Sequence, residues 1–237
     1  MLRPIFALIF ASAAVAAQAQ DPAPTGLVGH VEGKTYVSPT GVFRVTIPVL
    51  PELGGSITDT PNVVTFQDEF NTHVSIAAFQ QDATQRWEMS TRGLKDYLVY
   101  FFSNFVLNDF KQAFEGTQIE SAKFNPGQLD GALFTNILLP GGSMFAEKIP
   151  QYADNRVAVA KRGNMLFVKN GYIFVVSTEL AERVIEGKAY NKTTAQEDDI
   201  LRQRLNDIAD RITFTKPPAA ATTSPAGPPP LLAAPKK

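Results

Sequence analysis

The sequence predicts an α+β domain in which helices flank a mostly antiparallel β-sheet, an arrangement known as an α/β/α sandwich. Short segments in which apolar and polar residues alternate follow one another across brief turns, and this pattern is typical of hairpins. Fewer stretches show the apolar spacing of three and four residues that indicates a helix. Since hairpins outnumber strand–helix–strand crossovers, we expect antiparallel pairing.

The predicted strands begin with GVFRVTIP (41–48), where apolar and polar residues alternate until a proline ends the segment. Asn170-Gly171 predicts a tight hairpin, because both positions of such a turn require a positive φ. Gly163-Asn164 separates two further segments that we interpret as distinct strands. The other predicted strands are 62–66, 73–79, 119–124, 132–139, 156–162, 165–169 and 172–178.

A long helix is predicted from a cap at Ser90 or Thr91 to about Phe114. Its middle part, LVYFFSNFVL (98–107), is apolar on most sides and therefore needs cover on most sides. We expect the sheet to cover one face and the C-terminal helix or a loop to cover the rest. The alternative is that part of this apolar belt is exposed and binds a partner or lipid.

Two more helices are predicted, one around 179–187 and one from about Ala195 to Thr213. The acids Glu197, Asp198 and Asp199 fall in the first turn of the last helix, where the helix dipole favours negative charge. We interpret them as a solvated helix end and not as a metal site. The apolar stripe of this helix consists of Leu201, Leu205, Ile208 and Ile212.

Both ends of the sequence are predicted to lie outside the folded domain. Residues 1–20 have one arginine, an apolar run and an A-x-A site, the pattern of a secretory signal peptide. That run is shorter than the ~20 residues that span a bilayer, so we expect no membrane span in the mature chain. Residues 21–30 are expected to form a flexible leader and 31–215 a single domain, while the Pro/Ala-rich tail, 216–237, is expected to be disordered.

Charge and cysteine content exclude several classes of protein. The formal net charge is −1, without the basic excess expected of a protein that binds nucleic acid. The sequence has no cysteine, which excludes disulfides, thiolate metal sites and a lipid-modified cysteine.

One stretch near the start resembles a phosphate-binding loop but fails the pattern. Gly33-Lys34-Thr35 matches its last three positions, yet the first glycine of G-x-x-x-x-G-K-[ST] falls at Val28. No apolar strand precedes the stretch, and a strand-like segment follows it. The sequence therefore predicts no nucleotide cofactor.

The candidate catalytic residues are few and scattered. His30 lies in an H-x-E that lacks the cysteines of a zinc deaminase, and His73 begins a strand, where we expect a surface residue. Ser56 and Ser143 follow Gly-Gly without the frame of a nucleophile elbow, and Asp68-Glu69 is typical of solvated loop charges. We therefore predict no catalytic, cofactor-binding or metal-binding residue.

The order of these elements resembles the PsbP-like family. The resemblance rests on GVFRVTIP, VVTFQDEFNTHVSIAAF, a helix, two strands, the hairpin LFVKNGYIFVVST and a last helix ending in RITF, and it covers about Tyr36 to Phe214. It implies an exported α/β/α sandwich that acts outside the cytoplasm as a non-enzymatic helper or binding module. The tail and the loop GGSMFAEKIPQYADN depart from the family, and no metal or partner residues carry over.

The function that the sequence favours is that of an exported, non-enzymatic binding or accessory protein of the bacterial envelope, acting through contacts with a protein or an envelope component. The alternative is a periplasmic hydrolase whose active site is built from scattered residues. A third possibility is that the tail, 216–237, carries the interaction. A hydrolase requires a concave pocket where His73 or paired carboxylates meet a nucleophile.

Overall fold

The computed structural model describes residues 26–70, 72–141 and 157–216. The strands are β1 His30–Glu32, β2 Thr35–Val37, β3 Phe43–Thr46, β4 Ser56–Asp59, β5 Val63–Gln67, β6 His73–Gln80, β7 Gln118–Asn125, β8 Ala132–Pro140, β9 Val159–Lys169, β10 Tyr172–Glu179 and β11 Ile212–Phe214. The helices are α1 Ala83–Arg92, α2 Leu94–Phe101, α3 Leu107–Ala113, α4 Ala181–Ile185 and α5 Thr194–Ala209. A π-helical turn, Phe102–Val106, joins α2 to α3, and short 3-10 turns span Pro51–Leu53 and Gly187–Ala189.

Two antiparallel sheets organise these elements. The large sheet has seven strands in the order β4-β5-β6-β10-β9-β8-β7, and the small one has four in the order β1-β2-β3-β11. All neighbouring strands in both sheets are antiparallel. The predicted fold class, a mostly antiparallel sheet flanked by helices, is confirmed.

Each face of the large sheet buries a separate apolar core. Helices α2 and α3 and the π-helical turn cover one face, and α5 together with the small sheet covers the other. The hairpin from β9 to β10 lies at the centre and turns at Asn170-Gly171, where φ is 51° and 79°, as the sequence predicts. The two cores share this pair of strands, so a change in β9 affects both.

The long helix begins earlier than the sequence predicts. Asp82 caps α1 through a capping box with Gln85, whereas the hydroxyls of the predicted caps Ser90 and Thr91 bond to the carbonyl of Trp87 inside the helix. Gly93, with φ 81°, then separates α1 from α2. The prediction missed a local signal, because Asp82 followed three residues later by Gln85 is itself the pattern of a capping box.

The apolar belt of the long helix is mostly buried against the sheet, as expected. The exposed residue of the belt is Val99, with 41% of its surface accessible to solvent. Of the two covers expected for the remaining sides, the C-terminal helix was wrong, because α5 lies on the opposite face of the sheet. The residues that the sheet buries are Tyr97, Leu98, Phe101, Phe102, Val106, Leu107 and Phe110.

Gly163-Asn164 lies inside β9 and does not separate two strands, so that prediction was wrong. The glycine is needed because α5 packs directly on it: a Cβ there would lie 3.1 Å from the Cβ of Leu201. The asparagine accepts from Ser177 at 2.9 Å and donates to Thr135 at 3.4 Å. Turn-forming residue types thus serve here for close packing and for a buried polar row.

The last helix ends at Ala209, so Ile212, which the sequence assigned to its stripe, lies in β11. The strands β1, β2 and β4 have three or four residues each, too few for a clear alternating pattern. The predicted signal peptide and the loop residue Ser143 lie outside the described residues. Within the described part of the chain, no helix is both long and apolar enough to cross a membrane.

We expect Gly163→Ala to lower the free energy of unfolding by about 1–3 kcal/mol, because the new methyl group would lie closer to α5 and Asn136 than side chains normally pack. Its Cβ would lie 3.1 Å from the Cβ of Leu201 and 3.2 Å from Oδ1 of Asn136. Urea denaturation measures the loss. Gly127→Ala is the control, since its Cβ would meet only Oδ1 of Asn125, at 3.6 Å. Equal stabilities of the two variants would contradict this account of Gly163.

Candidate functional site

Two consecutive cations, Lys161 and Arg162, lie near the start of β9 with side chains that are 0% exposed. Side chains alternate along a strand, so one faces α5 and the other faces the long helix. A buried charge is costly unless it is paired. Each of these two residues therefore requires a carboxylate on its own side of the sheet.

Lys161 is surrounded by three carboxylates. Its Nζ lies 3.1 Å from Glu197 Oε2 and 2.6 Å from Asp198 Oδ1, and it also pairs with Glu120. Burial alone would lower the pKa of Lys161, but hydrogen bonds to the three carboxylates outweigh it, and the pKa is raised. The ammonium group is therefore charged at neutral pH and cannot act as a base.

The start of α5 brings two of these carboxylates into place. Thr193 and Gln196 form a capping box, which fixes the helix so that its first turn faces β9. Glu197 is only 4% exposed and also accepts from Tyr190 Oη at 2.9 Å, so the prediction of a solvated helix end was wrong for this residue. Asp199 fits that prediction, since it is exposed and pairs with Arg202 at 2.8 Å.

A β-bulge supplies the third carboxylate. Ile119 pairs with Ile137 and Ser121 pairs with Asn136, which leaves Glu120 as an extra residue in β7. A bulge of this kind turns successive side chains toward one face. Glu120 therefore reaches Lys161, while Ser121 Oγ donates to Asp198 Oδ2 at 3.0 Å and accepts from Asn136 Nδ2 at 3.0 Å.

Beside this charged cluster lies an open cleft of about 470 Å³, between β7 and β8 on one side and α5 on the other. Its wall combines apolar, amide, hydroxyl and charged side chains, the mixed lining that binding sites usually have. The residues that line it are Ser121, Ala122, Lys123, Asn125, Phe134, Asn136, Ala195, Asp198, Asp199, Arg202 and Leu205.

Arg162 has its partners on the opposite face of the sheet. Its guanidinium lies 3.2 Å from Glu179 Oε1, 3.3 Å from Ser75 Oγ and 3.4 Å from His73 Nδ1, and the ring of Phe110 stacks over it. Burial lowers the pKa of Arg162, and the Glu179 carboxylate opposes that shift. The long helix thus closes over a charged group as well as an apolar core.

His73 is 1% exposed, so its assignment as a surface residue was wrong. Arginine has no acceptor, so Nδ1 of His73 must accept and the ring proton lies on Nε2. Burial and the charge of Arg162 lower the pKa of His73 to about 3. A histidine that is enclosed, neutral and turned away from the cleft is unsuited to acid–base chemistry on a substrate.

The other residues that the sequence singled out lie apart from both clusters. His30 and Glu32 form an exposed pair on β1, 3.0 Å apart, and Gly33 makes the turn to β2, with no helix after it. Asp68 accepts from two backbone N–H groups of its own loop. No group of three or more potential metal ligands occurs within the described ranges.

Sequence reasoning missed the residues that build the cleft, although one signal was present. Lys161-Arg162 interrupts an otherwise apolar strand, and two adjacent cations cannot both face solvent on opposite sides of a covered sheet. That signal predicts one buried ion pair on each face. The bulge at Glu120 has no comparable signal, because it depends on the register with β8.

Neither protein-family models nor curated proteins give a match to this sequence. Among solved structures, the chain is similar to PsbP from Synechocystis (13% identity, TM-score 0.47), covering 83% of this chain and 98% of that one. It is also similar to the Ran-binding protein Mog1p from Saccharomyces cerevisiae (9% identity, TM-score 0.43), and the match covers 76% of this chain and 94% of that one. A protein from Bacteroides thetaiotaomicron (10%, 0.37) is matched over 78% of this chain and 50% of its own. The weak resemblance to PsbP that the sequence indicates is thus confirmed, and it extends to the outline of the fold alone.

We expect the protein to become less stable as the pH decreases, because of His73. The pKa of His73 is about 3 in the folded state, against 6.5 for an ordinary histidine, so protonation favours unfolding. The stabilisation is complete above the higher value and is lost as the pH falls toward the lower, at about 1.4 kcal/mol per pH unit. Urea denaturation at neutral and mildly acidic pH measures this loss.

His73→Asn should flatten that pH dependence, since an asparagine oxygen can replace Nδ1 as an acceptor and does not titrate. His30→Asn is the matched control, because His30 is exposed, and it should keep the slope of the wild type. The assignment to His73 is wrong if His73→Asn loses as much stability in acid as the wild type does.

Lys161→Met should lower the free energy of unfolding by about 1–3 kcal/mol, because it removes the cation shared by three carboxylates and leaves the buried Glu197 with only the longer contact to Arg183, at 3.7 Å. Lys123→Met removes a lysine that lies in the same sheet but is exposed, and it should change stability by less than about 0.5 kcal/mol. Urea denaturation of both variants provides the comparison. A loss in Lys161→Met no larger than that in Lys123→Met would show that the cluster does not hold α5 on the sheet.

Proposed function

We propose that this chain is an exported, non-catalytic binding protein and that a protein or cell-envelope partner binds in the cleft between β7, β8 and α5. The observation that carries the proposal is the cleft itself, about 470 Å³ in volume and open to solvent. Phe134 and Leu205 supply apolar surface, and Lys123 and Asn125 supply polar groups. Such a mixture suits recognition of a partner surface that is partly polar.

Ion pairs and hydrogen bonds connect the walls of the cleft before any partner binds. Lys161 joins β9 to the first turn of α5 and to the bulge in β7, and Ser121 joins β7 to α5 a second time. Asn136 extends the same network into β8. A site whose side chains are already ordered loses less conformational entropy on binding, and this favours affinity.

The chemistry of the lining supports binding without catalysis. Among the described residues that line the cleft, Ser121 has the one hydroxyl group, and its proton is directed to Asp198, which also pairs with Lys161. The raised pKa of Lys161 keeps that ammonium group protonated. His73 lies on the other face of the sheet, so within the described residues no histidine lies beside Ser121 as it does beside the serine of serine hydrolases.

The exported location rests on residues 1–20, whose pattern is that of a signal peptide. We expect the mature chain to begin after Ala19 or Gln20 and to be recovered from the periplasm or the medium. Mass spectrometry of the intact protein purified from each cell fraction measures this directly. An uncleaved chain that stays in the cytoplasm would contradict this part of the proposal.

A photo-crosslinking amino acid at position 123 should capture a partner in intact cells, because this side chain lies in the cleft wall. Ala195→Trp should abolish the capture, since Ala195 is an exposed residue of the same wall and a tryptophan would fill the cleft. Ala113→Trp makes the same change on α3, across the sheet, and should leave the capture intact. Equal capture in both tryptophan variants would exclude the cleft.

The runner-up function, a hydrolase, is favoured by one observation, the hydrogen bond between Ser121 and Asp198 inside the cleft. Ser121→Ala separates the two functions. A hydrolase would lose hydrolysis of ester or peptide substrates in the variant, whereas a binding protein would keep its partner and show no activity to lose.

A further inference from the structure

The two edge strands of the large sheet, β4 and β7, differ in how far other parts of the chain cover them. At one end, β4 has four residues, and Asp59 at its tip accepts from the backbone N–H groups of Val28 and Gly29, at 2.9 and 2.7 Å. At the other end, β7 has eight residues, all of which are exposed or half-buried. The outer edge of β7 has no neighbouring strand within the described residues. An edge of this kind is a template for another strand.

The bulge limits which part of β7 can receive a strand. Regular pairing with β8 is interrupted between Ile119 and Ser121 and then continues to Asn125. The regular part, residues 121–125, is close to the mean length of strands in proteins, about five to six residues. An added strand would therefore lie along this part, directly beside the cleft.

The side chains of β7 determine what such a strand would meet. Ser121, Lys123 and Asn125 all line the cleft and alternate along the strand. Side chains of an added strand that point to the same side would lie next to these three and face the outer wall that α5 forms. Specificity in strand addition comes from alternate side chains of this kind, and affinity comes from the main chain.

The charges of the wall favour an acidic side chain opposite Lys123. Arg202 pairs with Asp199 and Lys161 pairs with three carboxylates, so both of these cations are already compensated. No hydrogen bond or ion pair involves Lys123 within the part of the chain that the structure describes. The residues two positions before and after the acid would lie beside Ser121 and Asn125.

From these features we propose that the partner contributes an extended segment that adds to β7 as an eighth strand, with an acidic side chain beside Lys123. The inference rests on the proposed function and specifies its partner. A second copy of this chain fits less well, because antiparallel pairing of two β7 strands centred on Lys123 would place two lysines directly opposite each other.

The test uses the full mature chain and a fluorescent heptapeptide, Thr-Val-Thr-Glu-Thr-Val-Thr, in which every second residue can face the cleft. We expect binding in a fluorescence anisotropy titration, together with slower hydrogen exchange of β7 amides. An analogue N-methylated at every residue keeps the side chains but donates no ladder hydrogen bond, and it should bind at least about tenfold more weakly. Equal binding of the two peptides would overturn strand addition.

A charge exchange tests the position of the acid. Lys123→Glu should weaken binding of the glutamate peptide by about threefold and strengthen binding of a peptide with lysine in its place by a similar factor. Lys111→Glu, on α3 across the sheet, is the matched control and should affect neither. Affinities that do not depend on residue 123 would overturn the assignment.

Other occupants of β7 give distinct results. A dimer in sedimentation velocity that the peptide dissociates would overturn the proposal in favour of a second copy. Tighter peptide binding after removal of residues 217–237 would overturn it in favour of the chain's own tail. If crosslinking from position 123 succeeds while the peptide tests fail, the cleft binds its partner in another way. If both the crosslinking and the peptide tests fail, the proposed function is contradicted as well.

Discussion

Consecutive buried cations in β9 constrain both faces of the large sheet at once. Lys161 requires carboxylates from α5 and β7, and Arg162 requires Glu179, Ser75 and His73 beneath the long helix. Neither set of partners can be removed without leaving a buried charge, which costs far more than an exposed ion pair contributes. The relative positions of α5, the sheet and α3 therefore follow from one dipeptide, in addition to apolar packing.

The cleft is a consequence of how α5 is held. Lys161 fixes the first turn of the helix above β9, and Gly163 allows its next turn to approach the same strand closely. The helix thus lies over the middle of the sheet, while β7 and part of β8 extend beyond it and form the floor of an open cleft. The bulge at Glu120 turns a carboxylate toward Lys161, so the same feature that completes the cluster also interrupts the pairing of the edge strand.

The sequence predicted those elements whose signal is local. The alternation of apolar and polar residues and the turn Asn170-Gly171 predict hairpin strands such as β9 and β10, and the fold class follows from these strands. Features that depend on partners distant in sequence were missed, because nothing within β9 shows that Gly163 faces a helix. Glu197 was misplaced for the same reason, since an acid in the first turn of a helix has an adequate local explanation until a buried lysine is found opposite it.

A buried ionic cluster contributes little net stability compared with apolar packing, so its presence calls for another reason. Here it defines a unique position for α5, since a small shift of the helix along the strand would separate Lys161 from Glu197 and Asp198. An apolar contact would tolerate such a shift, and the shape of the cleft would then vary. A binding protein gains from a fixed cleft, because the order is already present when the partner arrives. The polar cluster is therefore best explained by the site that it shapes.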